Sequence, residues 1–329
     1  MAFYYINKAT TYSSFRAALS FYVAPSQNFV FGATNGDFGY QMPGRIPLRT
    51  TAHNGGWPVP GNSSTYNWTG FVPFDELPRA LNPPEGFVVT ANNRITPPGY
   101  PHTITVDWDA GSEGYRSWRI TDKICNATKG DSKISPHDVR FIQLDSISYL
   151  NRDLIAAFSQ LDSSKLTSAA KSVQRKFENW DYDTSIGSTV QPLAAAAYVD
   201  LLSLAGKETD TTYWHNSEFL LQAFARGKDP ACAPKTCPQR FADALDKAAS
   251  AFPKNVVQHA GLGVQQWGVS MHRAVFKHAI LGNSPLACVA SRDVAHGGDE
   301  STVNVGPFSL GDPDYTQPAG PSYRHIVDL

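Results

Sequence analysis

The residues best suited to chemistry are an asparagine pair that follows an apolar run in the first third of the chain. Asn92 and Asn93 come directly after GFVVTA and directly before Arg94 and a proline-rich turn. An asparagine amide held by rigid neighbours at the end of a strand can donate a hydrogen bond to the negative oxygen of a tetrahedral intermediate. The alternative is that both amides only satisfy the backbone of a turn, as asparagine most often does. The residues alone leave both interpretations open.

Arg116, in GYRSWRI, is a second candidate. Its planar guanidinium could clamp a substrate carboxylate or orient Asn92 through a charge-assisted hydrogen bond. A surface or interdomain ion pair would explain an arginine at this position equally well.

Three pairs of neighbouring acids permit a different chemistry, glycoside hydrolysis by two carboxyl groups. They are Asp75 with Glu76, Asp107 with Asp109, and Asp312 with Asp314. Spacing along the chain gives no distance between carboxyl groups in space, so the support for this chemistry is weak.

The segment HGGDESTVN, from His296 to Asn304, combines glycines, a histidine and acids. Metal and phosphate loops share this composition, but the segment lacks the helix-starting spacing of a phosphate loop. We therefore predict a structural turn that leads into a strand, STVNV.

The four cysteines say little about function. Cys232 and Cys237 lie in a proline-flanked loop at a spacing that permits a small disulfide, and the spacing does not decide whether the bond forms. No paired CxxC motif with nearby histidines completes a zinc site, so the sequence predicts no metal ligands.

Composition excludes several classes of partner. The chain has 329 residues, of which 42% are hydrophobic and 17% charged, and this is typical of a soluble globular protein of one or two domains. A net charge of −1 gives no electrostatic reason to bind nucleic acid or an anionic membrane.

The N-terminus lacks the pattern of a signal peptide, so the chain is either cytosolic or lies downstream of the protein's true beginning. The compartment stays open.

Periodicity predicts a strand-and-loop region, a helical lobe and a return to irregular sequence. Strands are predicted at residues 29–31 and 87–89, with a hairpin at Asn35-Gly36. A first helix is predicted after an N-cap at Ser13-Ser14. Helices then recur in four tracts: HDVRFIQLDSISYLNRDLIAAFSQL after Ser135-Pro136, LTSAAKSVQRKFENW, PLAAAAYVDLLSLA and QRFADALDKAASAF.

This layout favours an α+β fold with a helical insertion. Residues 1–120 would form the strand-rich part of the core, residues 121–255 the helical lobe, and residues 256–329 the return to the same sheet system. The last residues, IVDL, have the pattern of a strand that continues.

Several blocks, taken in order, resemble the penicillin acylase (penicillin amidase) family of N-terminal-nucleophile hydrolases, in particular the later part of its β chain. The blocks are INKATTYSSFRAAL, APSQNFVFGATNGDFGYQMPGRIPLR, PVPG with YNWTGFVPFDELPRALNPPEGFVVTANNRI, YRSWRI, FENWDYD, HGGDESTVNV and GPSYRHIVDL. The resemblance covers almost the whole chain.

The resemblance implies part of a four-layer αββα fold, cut from an autoproteolysed precursor. In the family, a serine at the new N-terminus attacks an amide carbonyl with its own α-amino group as base. The family's oxyanion asparagine matches Asn92, and its supporting arginine matches Arg116. Gln27, Asn28 and Phe29 match the region that binds the acyl group, where a polar Gln27 argues against a purely aromatic acyl group.

The resemblance also implies what this sequence lacks. The nucleophilic serine would belong to a segment before Ala2, and the family's closing segment would follow Leu329. The expected partners are therefore the α chain and the missing β-chain segment of the same precursor, together with a small amide substrate. No cofactor is expected: the position of a calcium ligand in some relatives falls near Ile104, which cannot ligate a cation.

Two hypotheses follow. The leading one is a penicillin-acylase-like amidohydrolase acting on linear, non-peptide amide bonds, of which this chain is an incomplete part that is inactive by itself. The alternative is a non-catalytic scaffold or binding protein derived from the same family.

Overall fold

The computed structural model describes residues 1–105, 114–205, 217–256, 263–309 and 311–329. Contacts within the chain divide it into two compact units, Met1–Ser112 together with Val327–Leu329, and Glu113–Ile326. Each unit has a hydrophobic core of its own. The predicted boundaries at residues 120 and 255 follow composition rather than contacts, and the three-part layout stays a prediction.

The first unit is built on small antiparallel sheets. Its elements are α1 (Ala2–Ile6), α2 (Tyr12–Leu19), β1 (Phe29–Gly32), β2 (Phe38–Gln41), β3 (Pro47–Leu48), β4 (Gly70–Phe71) and β5 (Arg79–Leu81). β2 lies between β1 and β5 in one sheet, and β3 pairs with β4 in a second. The core of this unit, called the first core below, consists of Tyr40, Met42, Ile46, Val72 and Leu77.

The predicted hairpin at Asn35-Gly36 is confirmed. β1 and β2 pair antiparallel on either side of this turn. Asn35 Oδ1 accepts a hydrogen bond from the backbone N–H of Asp37 at 3.1 Å. Gly36 has a φ of 91°, a conformation that a side chain would strain. The turn residues thus set the register of the two strands.

Two predictions in this unit are wrong. Residues 87–89 form no strand; the run is apolar because Val88 packs against the first core, not because it joins a sheet. The N-cap of α2 is Thr11 rather than Ser13-Ser14. Thr11 Oγ1 accepts from the backbone N–H of Ser14 at 3.1 Å, and Ser14 Oγ accepts from the backbone N–H of Thr11 at 3.0 Å. Ser14 is therefore the partner of the cap in a capping box.

The second unit is mainly helical. Its helices are α3 (Tyr115–Ala127), α4 (Pro136–Gln143), α5 (Tyr149–Ser159), α6 (Ser168–Glu178), α7 (Gln191–Ala205), α8 (Ser217–Arg226), α9 (Cys237–Ala251), α10 (Pro253–Val256), α11 (Trp267–Ser270) and α12 (Ala287–Ala290). Two strands, β6 (Ala274–Lys277) and β7 (Ser291–Val294), pair antiparallel. Helices form in all four predicted tracts, and the first tract, which opens after Ser135 as predicted, is divided into α4 and α5. Ser135 caps α4, with its Oγ accepting from the backbone N–H of Asp138 at 3.3 Å.

Residues 115–120 were expected to belong to the strand-and-loop region, and this is wrong: they begin α3. Tyr115 and Arg119, four residues apart, lie on the inner face of the helix. The aromatic and glycine-rich residues around them make this helical spacing hard to recognise in the sequence. The strands predicted at residues 301–305 and 326–329 are also absent.

α7 and α9 form the centre of the helical core. Leu193 and Leu201 of α7 are fully buried, as are Leu245 and Ala248 of α9. On α9 the buried residues recur at intervals of three and four from Phe241, as expected for one apolar face of a helix. Among the described residues, no helix is long and apolar enough to cross a lipid bilayer.

A disulfide joins Cys232 to Cys237 at the start of α9, a bond that the sequence left undecided. Cys125 and Cys288 are exposed free thiols.

A buried ion pair fixes α3 to the segment after α4. Arg119 Nε and Nη2 donate to the two carboxylate oxygens of Asp145 at 2.8 and 2.7 Å, and Lys123 Nζ lies 3.2 Å from the same carboxylate. Burial raises the pKa of Asp145, but the Arg119 guanidinium outweighs it and holds that pKa below its usual range. The charge on Asp145 is thus compensated in the folded protein.

The packing of α9 gives the first prediction. Leu245→Ala should lower the free energy of unfolding by about 2–5 kcal/mol, because it leaves a cavity in a core that closes only partly. Leu286→Ala removes the same atoms from a side chain that is 53% exposed, and it should change the stability by about 0.5 kcal/mol or less. Urea titrations of both variants measure the difference, and equal losses would contradict the assigned core.

Candidate active site

Asn92 lies in a loop whose two ends are anchored on the first core. Val88 before it and Ile95 after it both pack against that cluster. Asn92 adopts a φ of 62°, a left-handed conformation that asparagine tolerates better than most residues. The residue is exposed. The loop therefore presents Asn92 at the surface of the first unit from a fixed base.

The two asparagines of the pair differ in their surroundings. Asn93 Oδ1 accepts from the backbone N–H of Ala91 at 3.0 Å, and Asn93 Nδ2 donates to the carbonyl oxygen of Arg94 at 2.9 Å. Asn93 thus satisfies the turn, the role that the alternative interpretation gave to both residues. Its hydrogen bonds also hold the backbone on both sides of Asn92.

The residues expected to bind the acyl group lie at the start of β1. The Tyr40 hydroxyl donates to Asn28 Oδ1 at 2.9 Å, which fixes the Asn28 side chain. Burial, with Tyr100 nearby, raises the pKa of Tyr40, so that its hydroxyl stays a donor. Phe29 stacks edge-on against Tyr22, with ring centroids 5.1 Å apart, and Gln27 is exposed. Asn28 and the Asn92 loop are therefore both held by the first core.

Arg116 is the second residue of α3 and belongs to the second unit. Burial lowers its pKa, and the carboxylate of Glu300 raises it. The pKa of Glu300 is raised by burial, and Arg116 opposes that shift. The two groups thus interact as a largely desolvated cation and anion. The predicted pairing of Arg116 with Asn92 joins residues of different units and stays a prediction.

The segment from His296 to Asn304 is a buried turn, and the strand predicted within it does not form. Gly298 has a φ of 89°, and a Cβ there would lie 1.8 Å from the carbonyl oxygen of Asn304, so only glycine fits. The Gly298 N–H donates to the Thr184 carbonyl at 2.8 Å, and Trp267 Nε1 donates to the Gly298 carbonyl at 2.7 Å. The N–H groups of Thr302 and Asn304, which a strand would need for pairing, donate instead to the carbonyl oxygens of Asp299 and Asp145.

Asp299, inside this turn, is a buried carboxyl group. Its Oδ1 accepts from the backbone N–H of Ser301 at 2.8 Å, and its Oδ2 accepts from Asn151 Nδ2 at 3.4 Å. Burial raises the pKa of Asp299 to about 6, against the opposing effect of hydrogen bonds from Ser301, Ser148 and Thr302. Asp299 therefore titrates within the range of ordinary buffers.

The acid pairs that permitted a glycosidase have structural partners. Asp75 forms an ion pair with Arg16, and Glu76 Oε2 lies 2.6 Å from His102 Nε2. The Asp312 carboxylate accepts the backbone N–H groups of Asp314 and Thr316 at 2.9 and 3.0 Å. Asp107 and Asp109 lie outside the described residues. The described pairs thus give no support to a two-carboxylate site.

Within the described ranges, no cluster of three histidine, cysteine, aspartate or glutamate residues could hold a metal ion. Ile104, which the resemblance aligns with a calcium ligand of some relatives, packs against the first core.

Sequence reasoning missed two residues that position the candidates, Tyr40 and Glu300. β2 offers no alternating pattern that would single out Tyr40, because Gly39, Tyr40 and Gln41 are all buried. Nothing in the sequence linked Glu300 to Arg116, since the two are far apart in the chain.

The buried carboxyl of Asp299 gives a prediction on pH. A raised pKa means that the folded protein binds this proton more tightly than the unfolded chain. Its contribution to stability is therefore full below the unfolded value near 3.8 and is lost as the pH rises through about 6. Between pH 4 and pH 7, the free energy of unfolding of Asp299→Asn should fall by about 2 kcal/mol less than that of the wild type.

Urea titrations at several pH values measure this difference. Asp314→Asn removes one negative charge at an exposed position in the same unit and serves as the control. If the profiles of Asp299→Asn and the wild type ran parallel, the assignment would be wrong.

Comparisons with known proteins agree on one family. The sequence model of the family described as penicillin amidase matches residues 1–329. The acyl-homoserine lactone acylase QuiP of Pseudomonas fluorescens (strain Pf0-1) is 25% identical over 331 residues, which cover 92% of this chain and 38% of that protein. The penicillin acylase 2 proenzyme of Pseudomonas sp. (strain SE83) is 36% identical over 97 residues, which cover 30% of this chain and 12% of that protein.

The fold has a solved counterpart. A thermostable penicillin G acylase from Alcaligenes faecalis matches with a TM-score of 0.64 and 17% sequence identity, over 90% of this chain and 59% of that one. This likeness confirms the predicted α+β class and the N-terminal-nucleophile hydrolase fold. The chain spans well under half the length of the curated relatives named above. From the match over its whole length, the chain belongs to the penicillin amidase family.

Proposed function

We propose that this chain is part of an acylase that hydrolyses a linear amide bond in a small molecule, releasing a carboxylic acid and an amine. The observation that carries the proposal is the family match over residues 1–329. The names of the two relatives describe acylases of penicillin and of acyl-homoserine lactones. Both classes of substrate consist of a carboxylic acid joined to an amine by an amide.

In the proposed reaction, a serine hydroxyl attacks the amide carbonyl carbon while an α-amino group takes up its proton. The carbonyl oxygen becomes an oxyanion, the C–N bond breaks, and the amine leaves with the proton. Water then hydrolyses the acyl-serine ester and regenerates the serine. We place this serine at the N-terminus of another segment of the same precursor, as the term proenzyme in the name of one relative suggests for that protein.

Asn92 is the proposed oxyanion donor of this chain. Its exposure and the anchoring of its loop at Val88 and Ile95 support this role, because a donor must be held in place before charge develops on the oxygen. The left-handed backbone at Asn92 is a further feature of a fixed geometry. Asn93, with both ends of its amide bonded to the turn, supports the loop rather than the substrate.

The remaining residues to which we assign a role are Arg116, Gln27, Asn28 and Phe29. Arg116 supports the site, with Glu300 as the acid that compensates its charge. Gln27, Asn28 and Phe29 contact the acyl group, and the hydroxyl of Tyr40 keeps Asn28 in position. A polar amide at Gln27 favours an acyl group with a polar atom over a purely aromatic one.

Replacement of Asn92 tests the oxyanion role. In the complete protein, Asn92→Ala should lower kcat by a factor of about 100–1,000 with little change in KM, because the lost hydrogen bond forms in the transition state. Chromogenic phenylacetyl and acyl-homoserine-lactone amides provide the assay. Asn93→Ala, the neighbouring change, should lower the free energy of unfolding but leave kcat close to the wild-type value. An Asn92→Ala enzyme with wild-type kcat would contradict the role.

The origin of the nucleophile has a separate test. The 329-residue chain expressed by itself should hydrolyse neither amide, whereas co-expression with the remainder of its reading frame should restore turnover. Hydrolysis by the isolated chain would overturn the proposal that the serine lies elsewhere. A folded complete protein with no activity on any amide would instead favour the alternative of a non-catalytic binding protein.

A further inference from the structure

A cavity in the second unit combines an apolar wall with one arginine. Its volume is about 540 Å³, which is within the usual range for pockets that bind small molecules. Leu144, Ile186, Phe276 and Val294 form the apolar part, and Arg324 and His296 contribute the ionisable side chains. We call it the Arg324 cavity.

Arg324 is an exposed residue, and its guanidinium donates to neutral groups of the described chain. Its Nη1 donates to the backbone carbonyl oxygen of Gln143 at 2.9 Å, and its Nη2 donates to Asn304 Oδ1. The residues that line the cavity include no aspartate or glutamate. Within the part of the chain that the structure describes, Arg324 takes part in no ion pair.

The histidine in the cavity adds no second charge near neutral pH. Burial and the charge of Arg324 both lower the pKa of His296. His296 Nδ1 lies 3.2 Å from Gln317 Nε2, so the ring is also tied to the cavity wall. The cavity thus carries one positive charge, opposite a largely apolar surface.

The apolar wall and the single positive charge together determine which class of ligand the cavity can bind. A guanidinium binds a carboxylate through two parallel hydrogen bonds, and the apolar wall favours a hydrocarbon body. Because Arg324 is exposed, a carboxylate can bind its guanidinium at the solvent edge while the hydrocarbon lies along the apolar wall. We infer that the Arg324 cavity is a binding site for an apolar monocarboxylate, such as a medium-chain fatty acid.

This site does not depend on the proposed hydrolysis. The carboxylic acid that such a reaction releases belongs to the same class of ligand, but binding can be measured on the 329-residue chain without any turnover. Failure of one proposal therefore leaves the other standing.

Isothermal titration of the purified chain with octanoate and with the neutral analogue octanamide tests the inference. Octanoate should bind the wild type at least about tenfold more tightly than octanamide, since a charge-assisted hydrogen bond is lost in the amide. Arg324→Gln should weaken octanoate binding by about the same factor and leave octanamide binding unchanged. Arg324→Lys should retain a large part of the octanoate affinity.

Two further variants complete the design. Arg292→Gln is the matched control, because Arg292, like Arg324, takes part in no ion pair among the described residues, donates to neutral groups and does not line the cavity. It should bind octanoate as the wild type does. Gly320→Leu should weaken binding of both ligands by occupying part of the cavity; a Cβ at Gly320 would lie at an ordinary 3.6 Å from Phe276 Cζ, so the variant should fold. Thermal melts verify folding of every variant.

No octanoate binding to the wild type, equal binding to Arg324→Gln, or equal losses in Arg324→Gln and Arg292→Gln would each overturn the inference.

Discussion

The second unit depends on a single requirement, that the polar groups of its buried turn at residues 296–304 find partners inside the protein. The turn donates to Thr184, accepts from Trp267 and bonds through the Asn304 N–H to the carbonyl of Asp145 at 2.9 Å. Each of these partners comes from a different part of the helical unit. An unsatisfied polar group at this depth would cost more than most single contacts contribute, so the turn and its neighbours are fixed together.

The same turn connects the packing to the candidate chemistry. Glu300 follows the buried Asp299, and its carboxylate favours the charged form of Arg116. Arg119, on the same helix as Arg116, is held by Asp145. The position of α3 is therefore set by charged groups at two points, which is the kind of support that the role proposed for Arg116 requires.

Local signals in the sequence predicted the helices and the hairpin because their causes are local. Asn35-Gly36 specifies its own turn, Ser135 with Asp138 specifies a helix start, and α9 repeats its apolar residues at helical spacing. The errors have the opposite origin. Residues 87–89 and 301–305 look like strands because they are apolar or β-branched, but a strand needs a partner, and tertiary contacts assign these residues to a core and to a turn.

The residues of the candidate site also fall into two groups, those that the sequence identified and those that only the structure revealed. Asn92 and Arg116 were identified from the family resemblance, and from residue types alone their structural alternatives stood level or ahead. The structure shows that Asn93 bonds to its own turn and that Asn92 is the more exposed of the two, a difference that two identical side chains cannot reveal in a sequence. Tyr40 and Glu300 entered only through contacts between residues distant in the chain.

The central claim is that Asn92 stabilises negative charge on the reacting oxygen. Its most direct test is the binding of a boronic acid, which forms a tetrahedral adduct with a serine, compared with the binding of the product carboxylic acid to the complete protein. If the claim holds, Asn92→Ala weakens binding of the boronic acid by a factor of about 100 and leaves the affinity for the product almost unchanged. Equal losses for both ligands, or no loss for either, would contradict it.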